Sequence, residues 1–358
     1  MSQNIVSGYL DMLPNHIKSI HLSKKNLEVL PDLSRFTELE ELNCSNNFLT
    51  SLPKLNKSLK ILKCNNNLLI SLPQIEDLKL EELWCSNNKL KYLPTLNQNL
   101  KKLICDKNQL TFLPELEFTE LENINCSNNL LSFLPNFGLN LTELNCWNNL
   151  ITSLPSYHNL NFINCSNNAL TFLPSIERSN LFYLSCDNNQ LLSLPSLNKY
   201  LISLSCSNNL LTFLPQIKGS NLKSLNCSYN NLSFLPPLNN DLEVLVCENN
   251  KITYLPQLSM DLDTLRCDNN NLDYLYDLGN VTNIDIDPYS YVDPDDPDDL
   301  EESDKMNELK EIIHRINKFR LLYYRLKFKF KFFWPTREKI MIERFKPNKI
   351  KEIFLELI

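Results

Sequence analysis

The sequence predicts an α/β repeat solenoid, with a curved parallel sheet on its concave side, an extended convex side and a small, mainly helical C-terminal tail. Three observations predict it. All twelve cysteines recur at intervals of 19, 20 or 21 residues, from Cys44 to Cys267. An Asn stands three residues after every cysteine, and a Leu eight residues after. A Pro follows that Leu in eleven of the twelve turns; the last turn has Tyr276 there. A chain of 358 residues is long for one compact core. A repeat array escapes that limit, because each unit buries its apolar face against its neighbours.

The strand comes from the alternation around each cysteine. Leu39 to Pro53 (LEELNCSNNFLTSLP) shows the whole unit, L-x-x-L-x-C-x-x-N-x-L-x-x-L-P. The L-x-C alternation gives one buried and one open face. The Asn then leaves the strand for a turn. Its amide carries two donors and an acceptor, enough to satisfy backbone groups of its own turn and the next. Stacked in register it forms a ladder, since a buried amide without partners costs about 1–3 kcal/mol. The Pro fixes φ and removes a donor on the returning side. A period near 20 residues leaves no room there for a full helix, so that side is expected to be extended and polyproline-like.

The ends differ from the middle. Residues 1–16 are read as an N-terminal cap and 17–290 as the solenoid, about 14 turns. Ile17 to Pro31 is a degenerate first repeat with Leu22 in the Cys slot and Lys25 in the Asn slot. Val281 to Ile286 reads as a last strand with Ile286 in the Cys slot. Residues 291–304 read as an acidic linker. Residues 305–358 form the basic, aromatic tail.

The pattern resembles the leucine-rich-repeat family, in a short Leu-Pro form with Cys in the third apolar slot. The resemblance covers roughly residues 10–290 and implies a horseshoe. Within that family it is similar to the repeats of bacterial effectors. The Asn- and Lys-rich style also resembles leucine-rich-repeat proteins of giant, Mimivirus-like viruses of amoebae. The family likeness implies a non-enzymatic protein-binding scaffold. Some such effectors carry a C-terminal ubiquitin-ligase domain with a catalytic cysteine. Here the last cysteine, Cys267, lies inside a repeat with 91 residues after it, which departs from that pattern.

The cysteines are read as reduced, packed thiols. Zinc needs Cys or His converging at spacings such as C-x₂-C. Adjacent strands stand about 4.8 Å apart, and a disulfide wants Cβ atoms about 3.8 Å apart. Reduced thiols fit a reducing compartment. No secretory signal or transmembrane run is read, and an intracellular, cytoplasmic location follows as the expectation, a host cytoplasm if the source is viral. The four histidines, His16, His21, His158 and His314, are scattered, and four glycines make no phosphate-cradling loop. The acidic run from Asp293 places Asp298 where a calcium loop needs Gly. No catalytic set, metal, cofactor or small-molecule substrate is expected.

Charge is uneven. Residues 303–358 carry 15 Lys+Arg against 7 Asp+Glu, a net of +8, and residues 1–302 carry a net of −15. An acidic solenoid argues against nucleic acid on its concave face. A protein partner is expected there, on the residues three before, one before and one after each cysteine. Trp147, Phe162 and Tyr183 are expected to cluster in mid-array as aromatic anchors. A second group is Ile61, Lys63, Trp84 and Ile104; Val244, Val246 and Arg266 lie near the end. A further aromatic series precedes the Leu-Pro pair: Tyr92, Phe112, Phe133, Phe172, Phe213, Phe234, Tyr254 and Tyr274. These are read as packing between turns along one flank, with an exposed interaction stripe as the alternative.

In the tail, Leu309, Ile312, Ile313, Ile316, Phe319 and Tyr323 recur at helical spacing. The segment Arg325 to Trp334 (RLKFKFKFFW) follows. Phe328, Lys329, Phe330, Lys331, Phe332, Phe333 and Trp334 are read as its candidate membrane-contact or docking residues. The tail is read as a cap on the last repeats. The alternatives are a peripheral membrane-surface segment and a separate protein-docking helix.

Overall fold

The structure is a computed structural model that describes residues 2–272, except 157, 158, 178 and 260, together with 283–285. Fourteen three-residue strands form one parallel sheet in strict sequence order, from β1 (Ser19–His21) to β14 (Asn283–Asp285). Those used below are β2 (Glu41–Asn43), β3 (Ile61–Lys63), β4 (Glu82–Trp84), β5 (Lys102–Ile104), β7 (Glu143–Asn145), β8 (Phe162–Asn164) and β9 (Tyr183–Ser185). Every pairing keeps one register, so equivalent residues of successive turns sit side by side, as in Glu143↔Phe162↔Tyr183.

In the twelve cysteine turns each strand has one buried residue between two that reach the open face, and the cysteine follows it into the core. Between turns the leucines at the conserved slots stack into one continuous core. The convex side holds no helix among the described residues. It is extended, broken in places by a single i→i+3 turn such as Leu59 N to Asn56 O, 3.2 Å.

The Asn three after each cysteine carries the turn. All twelve donate Nδ2 to their own cysteine carbonyl at 2.9–3.2 Å. The second set of bonds runs to the preceding turn, and not to the following one as the sequence reading had it. Asn149 Nδ2, for example, also donates to Cys126 O (3.1 Å), and its Oδ1 accepts from Leu131 N (3.0 Å). The amide thereby supplies partners to peptide groups of two successive turns at the bend.

A second Asn row went unread in the sequence. The residue two after each cysteine is left-handed in all twelve turns, with φ between 51° and 58°. Ten of the twelve are Asn; Lys107 and Tyr229 are the exceptions. Asn tolerates this region because its short polar side chain can bond locally. The row also bonds along itself, as in Asn148 Nδ2 to Asn128 Oδ1, 2.9 Å. Tyr229 bears the left-handed strain without that relief. Tyr229→Asn is expected to stabilise by about 1 kcal/mol and to raise the melting temperature by about 2 °C. An unchanged or lower value would mean that the phenol ring contributes more than its backbone costs.

The leading edge is covered by α1 (Ser2–Asp11), which buries Val6 and Leu10 against the first turns. Arg35 donates Nη2 to the Leu10 and Leu13 carbonyls at the end of this helix. The Leu10 carbonyl also accepts from Leu13 N at 2.8 Å, so the guanidinium reinforces the turn that ends the helix. The acidic segment 291–304 and the tail 305–358, with Phe328 to Trp334, lie outside the described residues.

Candidate protein-binding surface

The concave face is a grid of three columns, as the spacing requires. Its N-terminal part brings its expected residues together. Lys63, Trp84 and Ile104 are register partners on β3, β4 and β5. Trp84 is held on both sides: Lys102 Nζ lies 4.7 Å from its ring centroid, and Nε1 donates to Glu82 Oε2 at 2.9 Å. Lys63 bridges to Glu41 Oε1 at 3.1 Å. All are half-buried, so this group is a braced surface.

The central trio does not assemble as one cluster. Phe162 and Tyr183 are register partners and remain 38% and 47% exposed. Trp147 is half-buried and lies four residues beyond Glu143, the partner of Phe162. At strand rise that is about 13 Å further along the face. Adjacent turns do not make adjacent side chains here, because the two columns occupy opposite ends of the strand.

A feature of the sheet edge supplies the neighbours that Trp147 does not. The residue four before each cysteine forms a charged row, with Lys18, Glu40 and Lys60 bridged at 2.8 Å on both sides. Those two ammonium groups hold the Glu40 carboxyl down to about 2. The row continues through Lys101–Glu81 at 3.5 Å and resumes at Lys223–Glu243, 2.7 Å. Between Glu122 and Lys223 it is interrupted by Thr142, Asn161, Phe182 and Ile202. Ile202 N donates to Phe182 O and Phe182 N to Asn161 O, so these residues belong to the same row. Phe182 is 37% exposed. The break thus falls beside Phe162 and Tyr183 and opens an apolar window in an otherwise charged rim. Tabulating that column from the sequence would have found it.

Beyond the window the floor is polar and bonded to itself. Asp187 Oδ1 accepts from Ser205 Oγ, Ser207 Oγ and Ser207 N at 2.6–2.8 Å, and Oδ2 accepts from Ser185 Oγ at 3.0 Å. Among the described residues no group of three or more His, Cys, Asp and Glu converges as a metal site. The cysteines are free and buried. Burial pushes the Cys44, Cys126 and Cys165 thiols up to about 12, and the other thiols from Cys64 to Cys247 upward as well. Several donate S–H to the next strand, as Cys165 does to Ser185 O at 3.4 Å. Neutral and sealed, they are poor nucleophiles.

The flank aromatics correct the reading that they pack between turns. Tyr92, Phe112, Phe133, Phe172, Phe213, Phe234 and Tyr254 are 43–55% exposed. They form the stripe that was the alternative; Tyr274 lies outside the described residues.

No family model matches the chain, and no curated protein matches it either. Solved structures do. The chain is 32% identical to YopM, a leucine-rich effector protein from Yersinia pestis, over 75% of its own length and 88% of that chain, with a TM-score of 0.55. It is 25% identical to a chain of the Toll–Spätzle complex of Drosophila, covering 70% of itself and 40% of that chain, with a TM-score of 0.54. The functional domain of InlJ from Listeria monocytogenes, which includes a cysteine ladder, shares the fold at 24% identity and a TM-score of 0.50, over 71% and 68% of the two chains. The one-register sheet, the ladders of Cys and Asn and the likeness to the Yersinia effector together place the chain in the leucine-rich-repeat family.

Proposed function

We propose that this chain is a non-enzymatic scaffold that binds a protein on its concave face, at the window formed by Phe162, Phe182, Tyr183 and Ile202. The observation that carries the reading is the coincidence of two features: a register pair of exposed aromatics, and the one stretch among the described turns where the charged edge row gives way to neutral side chains. Aromatic anchors within a polar surround are the usual composition of a contact hot spot. The similarity to a leucine-rich effector and to a chain of the Toll–Spätzle complex supports a protein as the partner.

The test is affinity capture from cell lysate with the full chain, quantified by mass spectrometry. A Phe162→Ala, Tyr183→Ala double variant is expected to lose a protein that both the wild type and a Trp147→Ala variant retain. Identical captures by all three would make the window inert. A protein lost only with Trp147→Ala would move the contact to the far end of the face. Flotation of the wild-type chain with liposomes, unaffected by any of these changes, would favour the membrane-surface reading of Phe328 to Trp334.

A further inference from the structure

The flank stripe has an order that the concave face lacks. Phe172 occupies it on the middle turn, with Ser153 and Ser193 one turn away on either side. Next come Phe133 and Phe213, then Phe112 and Phe234, then Tyr92 and Tyr254; beyond these the match ends, with Ser71 on one side and Tyr274 on the other. The nine turns read the same from both ends. The strands between them share one register, so the row is evenly spaced.

The stripe is also nearly free of charge. Over these nine turns, the residues six, seven and ten beyond the cysteine make 27 positions, of which Lys91 and Glu115 alone are charged. They are Thr, Ser, Gln or aromatic for the most part, on a body whose net charge over residues 1–302 is −15.

We propose that this flank is a homodimer interface, in which a second copy packs antiparallel about a two-fold axis at Phe172. A two-fold contact is self-complementary: residue i meets j, and j meets i. About an axis through the middle turn, each turn faces the turn equally far on the other side. A row that reads the same both ways then sets Phe172 against Phe172, Ser153 against Ser193 and Phe133 against Phe213. Slipping by one turn would set serines against rings, so the serines fix the register. Charge selects the same face, because two acidic bodies approach at least electrostatic cost where neither carries charge. The area suffices. Seven half-exposed aromatics offer about 700 Å² per copy, close to the roughly 800 Å² per partner of a stable interface. A bilayer is a poorer occupant, since surface-bound segments use Lys and Arg beside their aromatics.

The experiment is sedimentation equilibrium of the full chain over a range of concentrations, for the wild type and Phe172→Glu. The wild type is expected to be dimeric. The variant, which sets two carboxylates against each other on the axis, is expected to raise the dissociation constant about 100-fold or more. Its secondary structure, read by circular dichroism, should hold, because the ring is exposed on the single chain, while its melting temperature falls only by the stabilisation that association gave the wild type. Cross-linking then tests the register, and the native thiols stay silent because all twelve are buried. Phe172→Cys is expected to form a disulfide-linked dimer by itself. Ser153→Cys and Ser193→Cys are expected to link to each other when mixed and neither to itself, since each lies two turns, about 10 Å, from its own copy, beyond disulfide reach. A monomer at every concentration overturns the proposal. So does a dimer indifferent to Phe172→Glu, which would belong to the tail or another face, and so does self-linking of Ser153→Cys.

Discussion

The solenoid is expected to unfold in a single sharp step between pH 9 and pH 10 under reducing conditions. Eleven thiols, from Cys44 to Cys247, are held by burial above the ordinary value of 9.0. In the unfolded chain they ionise near that value. The folded pKa is raised, so the contribution is fully present below pH 9 and is lost as the pH climbs toward 12. Each pH unit above 9 takes about 1.4 kcal/mol per thiol. Eleven thiols together take about 15 kcal/mol by pH 10, which reaches the upper end of the usual stability of a domain.

The loss is shared along the array because each repeat leans on its neighbours. Tryptophan fluorescence and ultraviolet thiolate absorbance, followed together as pH rises, should change in the same step. Thiolate absorbance that grew gradually while the fluorescence held would mean that water reaches the cysteines in the native state. That result would sink the reading of the column as sealed core. Retention of fold and silent thiols well past pH 10 would leave the column sealed and overturn the predicted step instead, showing an array more stable than eleven thiols can offset.

Much of this architecture was legible in the sequence, because a repeat states its register openly. The alternation Leu42, Asn43, Cys44 assigns in and out wherever the chain is a strand, and the ladder needs only a recurring amide. The errors begin where the strand ends. Past the left-handed residue, alternation no longer sorts inside from outside. Phe112 and Phe133 read as buried by residue type, yet they face out, because Leu113 and Leu134 fill the core beside them. The left-handed slot itself was hidden by its neighbour: Asn46 and Asn47 look alike in the pattern, but the first answers a backbone need and the second a hydrogen-bonding one. Trp147 was misplaced for another reason. Turn number fixes position along the solenoid axis, and column number fixes position along the strand; both must agree before two side chains meet.

That pair of adjacent asparagines gives the second large effect. Asn149→Ala is expected to destabilise by about 3–4 kcal/mol, against about 1 kcal/mol for Asn148→Ala next to it. Asn149 is buried, and its Oδ1 accepts the amide of Leu131. Truncation orphans that N–H outright. The Cys126 and Cys146 carbonyls each lose one of two amide donors, the others coming from Asn129 and Asn168. Asn148 is exposed, and its loss removes one outward bond and a side chain suited to its φ of 56°. Asn149→Asp separates hydrogen bonding from packing. The carboxylate keeps the shape and can still accept from Leu131, but it would face two carbonyls at 3.1 Å with no hydrogen to give. Its folded pKa would therefore be raised, so its stability should be near that of Asn149→Ala or lower at pH 7 and recover as the pH falls through that raised value to the ordinary carboxylate value, where recovery is complete. Urea unfolding of the three variants at neutral and acid pH reads all of this. Equal losses for Asn148→Ala and Asn149→Ala, with no acid recovery for Asn149→Asp, would mean that the buried ladder adds nothing beyond the turn it accompanies.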